Sequence, residues 1–166
     1  LNAGSFPELG LTSARHPEYR QLSATILYRI LCKEKYDEAR DTMYYHWERL
    51  SQPLRGRVLD GLINFIRTEN TTTIMNQVFY ATACLMKIIT RCQGQWPQLY
   101  DLLNAFTPVP TDGTPIVTRE TALNVLKGLK LYTNLANEVM NDVGEQLGPI
   151  CAKVTVFLAA VPGDPR

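Results

Sequence analysis

The sequence predicts an all-α fold built from pairs of helices. Three observations carry that expectation. Apolar residues recur at three- and four-residue spacing through most of the 166-residue chain, the signature of helices with one buried stripe. No two alternating apolar–polar runs are joined by Asn-Gly or Asp-Gly, so hairpins are not expected. Successive helix pairs begin about 45 residues apart, a spacing that points to a repeated two-helix unit.

The elements follow in order. Residues 1–15, "LNAGSFPELGLTSAR", have weak periodicity and read as a lead-in. A helix is expected over 17–33. Pro17 suits its first turn, where a missing N–H costs nothing, and Glu18 suits the positive end of the helix dipole. Leu22, Ile26 and Ile30 form its expected buried stripe. The next run, "EKYDEARDTMYYHWERL", is polar and aromatic and reads as helical at most. Asp37, Glu38 and Asp41, with Lys33, Lys35 and Arg40 nearby, read as a solvated helix face.

A clear helix is expected over 51–69, capped by Ser51 with Pro53 in the first turn and with Leu54, Val58, Leu62, Phe65 and Ile66 inward. Gly56 and Gly61 inside it suggest a neighbour pressed close, since each costs about 1 kcal/mol against alanine. After the polar break "TENTTT", helix 72–92 carries the stripe Ile74, Val78, Ala81, Leu85 and Ile88 and stops at Gly94. Trp96 and Pro97 open helix 96–107, with Leu99, Leu102, Leu103 and Phe106 on one face. "TPVPTDGTP" is an irregular loop. Thr118, Glu120 and Thr121 start helix 118–139, with the stripe Ala122, Val125, Leu129 and Ala136. A last helix spans 142–161, interrupted or kinked by Pro149.

Helices 51–69 and 72–92 make one pair, and 96–107 and 118–139 the next. A pair recurring at about 40–47 residues is the period of HEAT and armadillo repeats. The expected architecture is therefore a single α-solenoid over 1–166, a superhelix of antiparallel helix pairs with a concave binding surface.

Composition narrows the function. Charged residues make up 20% of the chain and the formal net charge is +1, so the basic stripe of a direct nucleic-acid binder is missing. No run reaches the roughly 18 apolar residues of a membrane span. The chain begins on Leu1 and reads as a piece of a longer protein. Cys32, Cys84, Cys92 and Cys151 form no C-x-x-C pair and suit a reducing compartment. His16 and His46 are too isolated for a metal site or a triad, and no phosphate loop or nucleophile elbow is present, so neither an enzyme nor a cofactor is expected. Trp47 and Trp96 read as packing residues between repeats.

Four stretches resemble the importin-β (karyopherin-β) family of nuclear transport receptors. "HPEYRQLSATILYRIL" is similar to the B helix of an early repeat, and "HWERLSQPLRGRVLDGLINFI" to the A helix that follows. "QWPQLYDLL" resembles the Trp-Pro-x-Leu opening of the next A helix, and "TRETALNVLKGL" the B helix after it. The pieces fall in the family's order over about residues 16–139, and the Arg-Glu-x-Ala-Leu feature leans toward importins. The resemblance implies a receptor that shuttles between cytoplasm and nucleus through the nuclear pore. It implies that inner B helices bind the small GTPase Ran in its GTP form and couple this to protein cargo. The outer A helices, Leu54 to Arg67 and Leu99 to Phe106, would face FG nucleoporins.

On that reading the Ran-binding candidates are the polar faces of the two B helices: Asn76, Tyr80, Lys87 and Arg91, then Glu120, Asn124, Lys127 and Asn134. The alternative is another α-solenoid interaction scaffold, such as a vesicle-adaptor domain of the VHS or ENTH kind. That alternative predicts a basic lipid-binding edge.

Overall fold

A computed structural model describes residues 16–106 and 118–160, with side-chain surroundings described up to residue 139. The described chain is mostly helical. Its elements are α1 (Pro17–Leu31), β1 (Glu34–Asp37), β2 (Thr42–Tyr45), α2 (His46–Arg49), α3 (Gln52–Thr68), α4 (Thr72–Arg91), α5 (Pro97–Phe106) and α6 (Arg119–Ala160). They fall into two compact units that divide between Gln95 and Trp96.

In the first unit α4 is the central element. Eleven of its 20 residues are buried, among them the whole expected stripe Ile74, Val78, Ala81, Leu85 and Ile88. Met75, Phe79 and Met86 extend the apolar surface round the helix, and α4 packs against both α1 and α3. Helix α3 buries Val58, Leu62, Ile63, Phe65 and Ile66. The carbonyl of Ser51 accepts the N–H groups of Leu54 and Arg55 (both 3.0 Å), so the helix starts where the Ser-x-Pro signal places it, although the Ser51 side chain makes no capping bond. Gly56 was expected to admit a close neighbour, but a Cβ there would meet nothing within 4 Å.

Helix α4 ends in a double hydrogen bond. Gln93 N–H donates to the Thr90 carbonyl (2.9 Å) and Gly94 N–H to that of Ile89 (2.8 Å). This is a Schellman stop, with Gln93 in the left-handed region at φ 57°. The following residue has to be glycine, because a Cβ on Gly94 would sit 2.9 Å from Ile89 Cγ2 and 3.2 Å from its carbonyl oxygen.

Helices α1 and α4 run in the same direction. Contacts along α1 advance with contacts along α4: Arg20 Nε donates to Glu69 Oε2 (2.7 Å) just ahead of α4, and Thr25 Oγ1 to Gln77 Oε1 (3.4 Å). Further on, the Tyr28 and Tyr80 rings lie 5.2 Å apart, and the Cys32 thiol donates to the Ala81 carbonyl (3.6 Å). With α3 joined to α4 through only three residues, the order is helix, returning helix, helix.

Three expectations for this unit are overturned. The stripe Leu22, Ile26 and Ile30 is not buried: these residues are 54%, 45% and 50% exposed, and Tyr19 on the same row is 62% exposed. The side of α1 that meets the core is Ala24, Leu27 and Leu31. The chain is mostly helical, as expected, but residues 34–45 form an antiparallel hairpin where none was expected, pairing Glu34 with Tyr45 and Asp37 with Thr42. The helix expected over 17–33 therefore stops at Leu31. Asp37, Glu38 and Asp41 are hairpin residues, not a helix face. Asp37 Oδ1 accepts the Ala39 N–H (3.1 Å), and Asp41 takes the left-handed conformation at φ 51°. A four-residue loop of this kind needs no Asn-Gly pair.

In the second unit α5 buries Leu99, Leu102, Leu103 and Phe106 as expected, and packs against α6. Trp96 is fully buried, and its carbonyl accepts the Leu99 N–H (3.1 Å) at the helix start. Trp47, in α2 of the first unit, is buried too. Thr118 and Thr121 cap α6 reciprocally: Thr121 N–H donates to Thr118 Oγ1 (3.1 Å) and Thr118 N–H to Thr121 Oγ1 (2.8 Å). In place of two helices over 118–139 and 142–161, α6 is one element of 42 residues. Residues 140–143, "MNDV", hold no breaker, and Pro149 removes one hydrogen bond without ending the helix. Among its residues 119–139 the buried positions are Val125, Lys127, Gly128, Leu131, Leu135 and Val139; Ala122 is exposed and Leu129 and Ala136 are half-buried.

Candidate protein-binding surface

The α4 row is solvent-facing as predicted. Spacings of 4, 7 and 4 residues put Asn76, Tyr80, Lys87 and Arg91 within about 60° of one another on a 3.6-residue helix. Asn76, Tyr80 and Arg91 are exposed and Lys87 is half-buried. The row is framed on both sides. Tyr80 leans on the Tyr28 ring of α1 at an interplanar angle of 47°. Its hydroxyl is held above the ordinary phenol range, first by the hydrogen bond to Tyr28 and then by Cys84. At the other end Arg91 Nη1 donates to the Tyr45 hydroxyl (3.4 Å) of β2. Burial and the Glu34 carboxylate push the Tyr45 hydroxyl up, and the Arg91 charge offsets part of this. Two phenols and two cations therefore share one face of the unit, with Tyr80 and Tyr45 both in their neutral, donating form.

Beside Tyr45 the hairpin carries a second aromatic–cation group. Arg49 stacks 3.5 Å over the Tyr44 ring and pairs with Asp37, while His46 meets Tyr44 edge-on at 5.4 Å. The sequence pattern does not single out Tyr44, Tyr45 and Arg49, because the segment's polar and aromatic residues show no clear periodicity. The signal was the run "TMYYHW", rich in residues that favour strands.

The α6 row does not hold together as a surface. Glu120 is exposed and Asn124 half-buried, but Lys127 is 1% exposed, with its ammonium 6.0 Å from the Phe106 ring centre. Lys127 is thus corrected from a partner contact to a residue of the α5–α6 interior. Asn134 turns its amide back onto the Lys130 carbonyl (2.8 Å). A lysine stem of four methylenes packs like an aliphatic chain, which a polar–apolar pattern misses.

Among the described residues no three His, Cys, Asp or Glu side chains gather as a metal site, and no helix is long and apolar enough to cross a membrane. Among the described residues Cys32, Cys84 and Cys92 are not joined in disulfides. Burial, then the nearby Cys84, pushes the Cys32 thiol far up, so it is neutral and packs as a small apolar group. No family model, curated protein or solved structure matches the chain.

Proposed function

We propose that this chain is a non-catalytic binding module of the nuclear-transport-receptor kind, a stack of helix pairs that takes the GTP-bound form of Ran on the solvent-facing row of the inner helix α4. The observation supporting this reading is the parallel course of α1 and α4 with α3 returning between them. Successive inner helices of a solenoid run in this way, and their exposed faces make its binding surface. The row supplies what a protein partner needs: a half-exposed tyrosine as an anchor and two cations at the rim. Ran binding there would be coupled to cargo binding elsewhere on the receptor. The outward faces of α3 and α5 would meet FG nucleoporins, and the protein would shuttle between cytoplasm and nucleus.

The test is capture of this chain by immobilised Ran loaded with GTP or GDP. Retention should be GTP-selective. Lys87→Glu with Arg91→Glu should weaken it at least about tenfold, whereas a reversal at Glu120 should change it far less. Equal retention by both nucleotide states removes the transport reading. Unchanged retention by the double variant removes α4 as its site.

A further inference from the structure

We infer that the outer face of α1 is a self-association surface, on which a second copy of this chain lays its own α1 antiparallel. Tyr19, Leu22, Ile26 and Ile30 follow one another at spacings of three, four and four residues, on the side of α1 turned away from α4. All four are between 45% and 62% exposed. Isolated exposed apolar residues are ordinary, but a continuous stripe along a whole helix marks an interaction site. Self-pairing follows from the stripe's layout. Leu22 and Ile30 sit four residues to either side of Ile26, so a two-fold axis at Ile26 brings each onto the other's partner.

Charge selects the orientation. Glu18 stands at the N-terminal end of the stripe, and Arg29 and Lys33 stand at its C-terminal end; all three are exposed. Glu18 and Arg29 are three turns apart and lie on the same flank of the stripe. In an antiparallel pair related by a two-fold axis, the same flanks of both helices face each other, so Glu18 of each copy lies beside the cationic end of the other. A parallel pair would set like charges together. The four side chains offer roughly 400 Å² per copy, about 800 Å² in the pair, below the roughly 1,200 Å² of stable complexes. The dimer is therefore weak. The stripe lies on α1 and the Tyr80–Arg91 row on the neighbouring α4, and self-association is tested with no Ran present.

Sedimentation equilibrium of this chain between about 5 and 500 μM tests the inference. A monomer–dimer equilibrium is expected. Ile26→Glu, an exposed substitution that leaves the helical circular dichroism intact, should weaken it at least tenfold. Glu18→Lys should weaken it several-fold, and adding Arg29→Glu and Lys33→Glu to that variant should restore it. A chain that stays monomeric, a dimer indifferent to Ile26→Glu, or a triple variant without recovery each overturns the proposal.

Discussion

Glu69 joins three parts of the first unit through one carboxylate. Its Oε1 accepts the N–H groups of Asn70 (2.9 Å) and Thr71 (2.8 Å), closing the turn into α4. Its Oε2 takes Arg20 of α1 at 2.7 Å, and the side chain is only 7% exposed. Burial alone would raise its pKa; the hydrogen bonds from Thr71 and Asn70 and the Arg20 charge outweigh burial and hold it below the ordinary range. A carboxyl depressed in the folded state stabilises fully above its unfolded value, near 4.3, and loses that contribution as pH falls through the folded value. Urea midpoints should therefore fall on acidification below about pH 4.5, and Glu69→Gln should flatten that part of the curve. At pH 7 Glu69→Ala should cost on the order of 2–3 kcal/mol, because it leaves two turn N–H groups and a largely covered arginine without their acceptor. An unchanged acid limb in the Gln variant would remove Glu69 as its source. The sequence marks this stretch as a polar break and a helix start, and both are correct. It does not reveal the carboxylate's role, because Arg20 lies 49 residues earlier in the chain.

At the scale of elements, the strong helices were legible and the hairpin was not. Helices α3, α4 and α5 announce themselves through Pro at the first turn or a dense apolar stripe, and their observed ends fall within one residue of expectation. Strand β1, "EKYD", has no such signal. It is held from outside: Arg49 of α2 pairs with Asp37, which lowers that carboxyl's pKa, and spreads over the Tyr44 ring on β2. Nonlocal contacts of this kind override local propensity. Arg49→Ala should therefore loosen the hairpin rather than the helices. The effect on global stability should be small, because the ion pair is open to solvent, and smaller still in high salt. Near-ultraviolet circular dichroism from Tyr44 and Tyr45 should change while the far-ultraviolet helical signal stays. A variant with native tyrosine dichroism would show that the strands hold without Arg49. The misreading of α1 has a different cause. Its apolar letters fall on two faces, and periodicity identifies an apolar stripe without saying what covers it; here the smaller face, Ala24, Leu27 and Leu31, meets α4.

For the molecule as a whole, the same asymmetry sets where stability resides. Helix α4 is covered round most of its circumference, with Ala83 and Phe79 at 0% exposure and Ile74, Val78 and Leu85 at 1%. Helix α1 is covered on one side only. Opening an amide in the middle of α4 requires exposing contacts to both α1 and α3, whereas α1 can detach by giving up a single face. Local opening energies follow such differences in buried apolar contact. At low micromolar concentration, hydrogen exchange should be slowest between Ile74 and Ile89 and distinctly faster between Leu22 and Ile30. Raising the concentration toward the dimer's dissociation constant should slow exchange in α1 while leaving α4 unchanged, because only α1 gains a covering face. Equal protection of the two helices at low concentration would mean that α1 is tied down by more than Ala24, Leu27, Leu31 and the Arg20–Glu69 pair. A slowing shared by α4 would place the second copy somewhere other than the Tyr19–Ile30 stripe.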